Sequence, residues 1–199
     1  QDPYIRQKHQ ISNFLKLAEL LVKIGDCNKI HLLTSSDDSE QELENKYAFE
    51  KIADSYPDVR TDEYHIDILA AHLVQHPDWF DVIVASNLFG DILSDLGPAV
   101  AGSIGLAPGA NLNPDRSRPS MFEPVHGSAP DIAGKGIANP IAQILTGGMM
   151  LEHLEQPAAA AAIESAVEKI LGAEKIRTAD LDGTATTAEM TQAIVAAIA

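Results

Sequence analysis

The chain has 199 residues, 45% of them hydrophobic, which suits one large domain or two small domains with a buried core. A net charge of −15 argues against nucleic acids and anionic membranes as partners, because both would be repelled. The lone cysteine, Cys27, cannot form an internal disulfide, and no run is long enough for a transmembrane span or a signal peptide, so a reducing compartment such as the cytoplasm is expected.

Strand and helix patterns alternate along the first half of the sequence. Apolar spacing predicts a helix over Ser12–Ile24, and KIHLLT at Lys29–Thr34 is typical of a strand. The segments that follow are a helix running through Lys51, a strand in DVRTDEYHID, a helix in IDILAAHLVQ and a buried strand in DVIVAS. This order predicts α/β layering, with ligands at the carboxyl ends of strands.

Glycine, proline and asparagine dominate the stretch that follows Ser103. The segment IGLAPGANLNPDRSRPS is too long for a hairpin turn and predicts a functional or domain-crossing loop. Three helices are predicted beyond it: IAQILTGGMMLEHL, then AAAAAIESAVEKILG, which Pro157 opens and Gly172 closes, and finally TAEMTQAIVAAIA.

Asp91 and Asp95 are four residues apart in a predicted helix and therefore share one of its faces. Like charges at this spacing repel by a few tenths of a kcal/mol. They either lie in the first turns of the helix, where the macrodipole favours carboxylates, and face water, or they flank a divalent cation such as Mg²⁺ or Mn²⁺. Asp67, at a strand-to-helix junction, is a candidate third ligand.

The segment HGSAPDIAGKGIANP is rich in small residues, so a ligand could approach its backbone closely. Asp131 within it could accept hydrogen bonds from vicinal ribose hydroxyls and would repel a 2′-phosphate. His126 suits either a structural role or stacking on a base. No GxGxxG motif follows a strand in this sequence, and the segment is equally compatible with an ordinary loop.

Two long blocks carry a family resemblance: DVIVASNLFGDILSDLGPAVAGSIGLAPGANLNP and MFEPVHGSAPDIAGKGIANPIAQILTGGMML. In this order they resemble the β-decarboxylating dehydrogenases, the isocitrate/isopropylmalate dehydrogenase family, from about Tyr56 to the C-terminus. The segments ASNLFGDILSD and GANLNP are most similar to the tartrate and D-malate branch. The resemblance implies a partial α/β fold of the isopropylmalate dehydrogenase type that lacks the N-terminal half of the cofactor domain. Residues from about 10 to 105 would form the dimerisation and metal-site part, and residues from about 106 to 199 a remnant of the cofactor-binding part.

The resemblance also implies site residues. Asp91 and Asp95 match metal-binding aspartates of one subunit, and Asp67 matches the aspartate that the partner subunit contributes, so a cation would offset the repulsion. Glu123 matches an acid near the cofactor. The residues that match the adenosine-binding loop are His126, Gly127, Ser128, Ala129, Asp131, Ile132 and Asn139. The implied reaction is oxidative decarboxylation of a 2-hydroxy acid such as tartrate, D-malate or isopropylmalate, with NAD and Mg²⁺ or Mn²⁺ as cofactors.

The sequence departs from the family pattern where the family holds its catalytic residues. The N-terminal portion with the substrate-clamping arginines is missing, Asp37 or Asp38 takes the place of the catalytic lysine, Lys46 is out of register, and Tyr4 is no counterpart of the catalytic tyrosine. We therefore assign no catalytic residue and expect no turnover by this chain alone, in a homodimer or higher oligomer. The alternative is a non-catalytic paralogue that serves as a metal- or nucleotide-binding regulatory subunit.

Overall fold

The computed structural model describes residues 29–34, 46–47, 49–51, 53–113, 115–173 and 175–198. The chain divides into two compact units, Gln1–Gly97 with Asn113–Ser117, and Pro98–Leu112 with Arg118–Ala199. The metal-site and cofactor-binding roles predicted for the two parts of the chain stay predictions. The predicted helix at Ser12–Ile24 lies outside the described residues, as do Tyr4, Cys27, Asp37 and Asp38.

The first unit contains a parallel sheet of three strands. They are β1 (Lys29–Thr34), β2 (Arg60–His65) and β3 (Val82–Val84), in the spatial order β2-β1-β3. Lys29 is opposite Arg60 in the pairing of β1 with β2, and Ile30 is opposite Val82 in the pairing with β3. The parallel pairing agrees with the predicted alternation of strands and helices, because parallel neighbours need a crossover connection.

A helix follows each of the strands β2 and β3. Residues 46–47, 49–51 and 53 are helical, α1 spans Ile66–Gln75 and α2 spans Asn87–Ala101. Leu69 of α1 and Leu93 of α2 are buried together in the core of this unit. The packing explains the helical period of the sequence, since each helix turns one apolar stripe to the core.

The third strand differs from its prediction. DVIVAS was expected to be a buried strand, but β3 has only three residues, and all three are half-buried. Among the described strands β3 pairs with β1 alone, at one side of the sheet. A strand in this position keeps part of its surface open, so an uninterrupted apolar run did not mean full burial.

The second unit contains a two-stranded antiparallel ribbon. A short 3-10 turn at Ile104–Leu106 precedes β4 (Pro108–Asn111), which pairs with β5 (Met121–Pro124). The segment that contains β4 was predicted to be a loop throughout. Proline and glycine within PGAN concealed the strand, because proline cannot donate to a ladder and is confined to edge positions such as this one.

The core of the second unit is helical. Its helices are α3 (Ile141–His153), α4 (Pro157–Gly172) and α5 (Thr187–Ile198), close to their predicted bounds. The buried apolar residues that they bring together are Ile141, Ala166, Val167, Met190 and Ile194. Within the described residues, no helix has the length and apolarity needed to cross a membrane.

A capping box sets the start of α5. Glu189 Oε2 accepts hydrogen bonds of 2.8 Å from both the backbone N–H and the hydroxyl of Thr186, while the Glu189 N–H donates to the Thr186 hydroxyl at 3.2 Å. These reciprocal bonds satisfy donors that the first helical turn would otherwise leave unpaired. The bonds from Thr186 also lower the pKa of the Glu189 carboxyl.

Candidate functional site

The predicted adenosine-binding loop leaves β5 and runs to the start of α3. His126 Nδ1 lies 2.9 Å from the Gly127 carbonyl oxygen, so the ring nitrogen donates and the carbonyl accepts. Ala129 has a left-handed backbone with φ of 44°, and a 3-10 turn at Pro130–Ile132 follows it. A non-glycine residue with positive φ costs backbone energy, and such residues concentrate at binding loops.

Most of the predicted loop residues face solvent. Asp131 is exposed in the first turn of the 3-10 helix, and its carboxylate makes no hydrogen bond to any residue that the structure describes. A Cβ placed on Gly127 would meet no atom within 4 Å, so the space above the backbone is open there. Ile132 and Asn139 are half-buried; the other predicted residues of the set are Glu123, His126, Ser128 and Ala129, of which only His126 is not fully exposed.

A hydrogen-bond network that was not predicted surrounds the end of this loop. Asp180 accepts bonds from the Ser103 hydroxyl at 2.5 Å, from the Thr178 hydroxyl at 2.5 Å and from Asn139 Nδ2 at 2.9 Å. Asn139 Oδ1 in turn accepts the backbone N–H of Ile141 at 3.0 Å. The network therefore connects three separate segments of the second unit through one carboxylate.

Desolvation and hydrogen bonding act on Asp180 in opposite directions. Partial burial alone would raise the pKa of this carboxyl, but the bonds from Ser103, Thr178 and Asn139 together outweigh it and hold the pKa below the ordinary value of 3.8. Asp180 is thus ionised at neutral pH. It lies in the segment TADLDG, within the stretch from about Tyr56 to the C-terminus that the family resemblance covers, but spacing gave no reason to assign it a role.

The predicted metal-binding aspartates lie in the first unit. Asp67 is in the first turn of α1, directly after β2, and its Oδ1 accepts the Ile68 N–H at 2.8 Å. Asp91 and Asp95 are both exposed on α2, and Asn87 Nδ2 donates to Asp91 Oδ2 at 3.2 Å. The strand-to-helix junction expected at Asp67 is present.

The position of α2 bears on why Asp91 and Asp95 share a face. The helix begins at Asn87 and has no acidic residue in its first turn, so the two carboxylates lie in later turns. This position does not favour the alternative in which the macrodipole stabilises the two carboxylates, because the macrodipole acts mainly within the first turn. Their exposure is as expected. Their mutual repulsion still calls for another source of compensation.

A single chain does not complete a metal site within the described residues. They contain no group of three histidine, cysteine, aspartate or glutamate side chains that could hold an ion. The predicted site takes Asp67 from a second copy of the chain, so it stays a prediction.

Lys46, which is out of register with the position expected for the catalytic lysine, forms an ion pair with Glu63. Its Nζ lies 2.8 Å and 3.1 Å from the two carboxylate oxygens of Glu63 on β2. The hydrogen bond to Glu63 raises the pKa of the Lys46 ammonium group. A lysine held in its charged form is poorly suited to accept a proton.

Comparisons with known proteins give consistent results. The family model described as isocitrate/isopropylmalate dehydrogenase matches residues 17–194. The D-malate dehydrogenase (decarboxylating) of Escherichia coli K12 is 56% identical over 150 residues, and the tartrate dehydrogenase/decarboxylase of Pseudomonas putida is 55% identical over 151 residues. Each match covers 73% of this chain but only 41% of the relative.

A solved structure extends the similarity to the fold. The crystal structure of isocitrate dehydrogenase from Methylococcus capsulatus superposes with a TM-score of 0.87 at 38% sequence identity. The match covers 96% of this chain and 56% of the other. The chain thus spans less than two thirds of the proteins to which it is similar.

Proposed function

Because the chain belongs to the isocitrate/isopropylmalate dehydrogenase family, we propose that it provides nucleotide- and metal-binding parts of an oxidative decarboxylase of small 2-hydroxy acids. The identity of more than half to a D-malate dehydrogenase and a tartrate dehydrogenase supports D-malate or tartrate as the substrate class, with isopropylmalate as the next candidate. The proposed cofactors are NAD and Mg²⁺ or Mn²⁺. When bound, NAD supplies the hydride acceptor and the cation supplies a Lewis acid for charge on the substrate oxygen.

The exposed Asp131 carboxylate is the observation that carries the nucleotide part of this proposal. Its oxygens are available to accept bonds from the two vicinal hydroxyls of an adenosine ribose. The open backbone at Gly127 leaves room for the sugar or base beside it. The same negative charge would repel a 2′-phosphate, which supports NAD rather than NADP as the ligand.

Carboxylate chemistry supports the metal part. Asp91, Asp95 and Asp67 of the partner subunit would supply oxygen ligands, which Mg²⁺ and Mn²⁺ prefer. Leu88 and Ile92 are exposed on the α2 face that carries the two aspartates, at 65% and 53%. Apolar side chains beside charged ligands suit a surface that a second copy covers, so we propose a homodimer or higher homo-oligomer.

We propose no turnover by this chain alone, and this is supported by the engagement of Lys46 with Glu63. The regulatory alternative shares the nucleotide and metal sites and differs only in lacking a reaction. An assay with D-malate or tartrate, NAD⁺ and Mn²⁺ can follow the absorbance of NADH. Formation of NADH would indicate an active enzyme, whereas the inactive chain and the regulatory subunit should both form none. The single cysteine supports a reducing compartment such as the cytoplasm.

Calorimetric titration of NAD⁺ into the full chain tests the nucleotide site. Asp131→Ala should weaken binding by about tenfold or more, because a bond to a charged group is lost. Asp78→Ala is the matched control, since Pro77–Trp79 is also a three-residue 3-10 helix with proline first and aspartate second. Wild-type protein that does not bind NAD⁺, or equal effects of the two variants, would refute the proposal.

A further inference from the structure

The second half of the adenosine-binding loop is held by the segment that leads into α5. Asn139 Nδ2 donates to Asp180, the Thr187 N–H donates to the Gly136 carbonyl at 2.9 Å, and the Thr187 hydroxyl donates to the Ala138 carbonyl at 2.6 Å. Three bonds thus fix three loop residues, Gly136, Ala138 and Asn139, to a part of the chain about 40 to 50 residues further on.

The Asn139 side chain is already engaged at both ends of its amide. Its oxygen accepts from Ile141 at the start of α3, and its nitrogen donates to Asp180. These two bonds settle which end of the amide is oxygen and which is nitrogen. Asn139 therefore shapes the loop through internal bonds, and the side chain is not free to reorient toward a ligand.

We propose that Asp180 and Thr187 are positioning residues that hold loop residues 136–139 in the shape that receives the adenosine half of NAD, without touching the nucleotide themselves. The inference rests on the proposed nucleotide-binding function of the loop. It assigns a role in that function to the TADLDG segment and to the first residue of α5, neither of which carries a predicted site residue.

The chemistry of the network explains why the residue at position 180 is an aspartate. Three donors converge on one carboxylate, and a carboxylate is the side chain that accepts at both oxygens. Asp180→Asn keeps the volume but turns an N–H group toward one of the donors. Asn139→Asp places a second carboxylate 2.9 Å from the first. The double exchange restores one amide facing one carboxylate.

Exchanging the residues at positions 139 and 180 is the first test, and calorimetry measures the NAD⁺ affinity of the full chain. Asp180→Asn and Asn139→Asp should each weaken binding by about tenfold. The double variant should bind NAD⁺ more tightly than either single variant but less tightly than wild type, because the bond between positions 139 and 180 is restored while one hydroxyl still faces an N–H group. A double variant as weak as the singles, or an Asp180→Asn variant that binds like wild type, would overturn the proposal.

A milder variant tests the hydrogen bond between the Thr187 hydroxyl and the Ala138 carbonyl. Thr187→Val removes the hydroxyl bonded to Ala138 and keeps the β-branched shape, and it should weaken NAD⁺ binding about threefold to tenfold. Thr191→Val is the matched control, one turn further along α5, where the hydroxyl bonds only to the Thr187 carbonyl of the same helix. Equal affinities for these two variants would contradict a positioning role for Thr187.

Hydrogen exchange without any nucleotide separates this inference from the proposed function. Asp180→Asn and Thr187→Val should speed exchange of the amides of residues 136–139 and leave those inside α3 unchanged, whereas Thr191→Val should change neither. If wild type fails to bind NAD⁺, the proposed function falls and the exchange rates still decide whether the loop is held. Unchanged exchange in the loop would refute the positioning role whatever the affinities.

Discussion

The Thr178 hydroxyl donates a hydrogen bond of 2.5 Å to Oδ1 of Asp180, two residues further along the chain. This bond and those from Ser103 and Asn139 outweigh the effect of partial burial and lower the pKa of Asp180. A lowered folded-state pKa contributes stability that is present above the unfolded value and is lost as pH falls through the folded value. The network is therefore a source of acid sensitivity.

We expect Asp180→Asn to be less stable than wild type at neutral pH and the difference to shrink as pH falls below 3.8, the ordinary value for this carboxyl. Its pH-dependent part should not exceed about 1 kcal/mol, because water screens a partly exposed carboxylate. Denaturant unfolding at several pH values measures it, with Asp78→Asn as a control for loss of one charge. A difference that does not vary with pH would contradict the prediction.

Gly183 closes the turn that presents Asp180. Its N–H donates to the Thr178 carbonyl at 2.9 Å, and a Cβ on it would overlap the carbonyl of Arg177. Gly183→Ala should therefore cost about 1 to 3 kcal/mol of unfolding free energy, since backbone atoms must move. Gly172→Ala, at the end of α4 with no atom within 4 Å of a new Cβ, should be neutral or stabilise by up to about 1 kcal/mol. Thermal unfolding that ranks the two variants the other way would exclude this account.

Local patterns predicted most of the fold. The strands β1 and β2 and the helices α1, α3, α4 and α5 lie where their sequence patterns predicted them. The α/β class and the family resemblance are confirmed by the comparisons. The ribbon β4-β5 was missed because its stability comes from pairing residues that are distant in sequence, such as Pro108 with Pro124, which are 16 positions apart.

Only part of the candidate site could be predicted from the sequence. Loop residues such as Asp131 were predicted to bind the cofactor from their type and their place in a motif, and this stays a prediction. The Asp180 network could not be predicted from the sequence. Ser103 is 77 positions and Asn139 is 41 positions from Asp180, and no periodicity links either residue to that carboxylate.

The charge at position 131 should set the choice between the two nicotinamide dinucleotides. Wild type should bind NAD⁺ more tightly than NADP⁺, since an exposed carboxylate attracts ribose hydroxyls and repels a 2′-phosphate. Asp131→Lys should reduce or reverse that preference, whereas Asp78→Lys, at the corresponding place in the other proline-led 3-10 turn, should not. The ratio of the two dissociation constants is the measurement. A ratio unchanged by Asp131→Lys would show that another group discriminates.

The proposed metal site, shared between two subunits, makes a specific prediction for mixed dimers. Asp67→Asn and Asp91→Asn should each abolish Mn²⁺ binding in a homodimer, because every site then lacks one ligand. A dimer with one chain of each kind has one intact site, formed by Asp91 and Asp95 of the first variant with Asp67 of the partner subunit.

Co-folding equal amounts of the two variants should therefore return about a quarter of the wild-type Mn²⁺ sites, since half the dimers are mixed and each mixed dimer has one of two sites intact. Calorimetry or the Mn²⁺ electron paramagnetic resonance signal counts them. Co-folding the Asp91→Asn and Asp95→Asn variants is the control, because both changes fall on the same half of the site and no pairing restores it. Recovery in the control, or none in the test mixture, would mean that the ligands do not come from two copies of the chain.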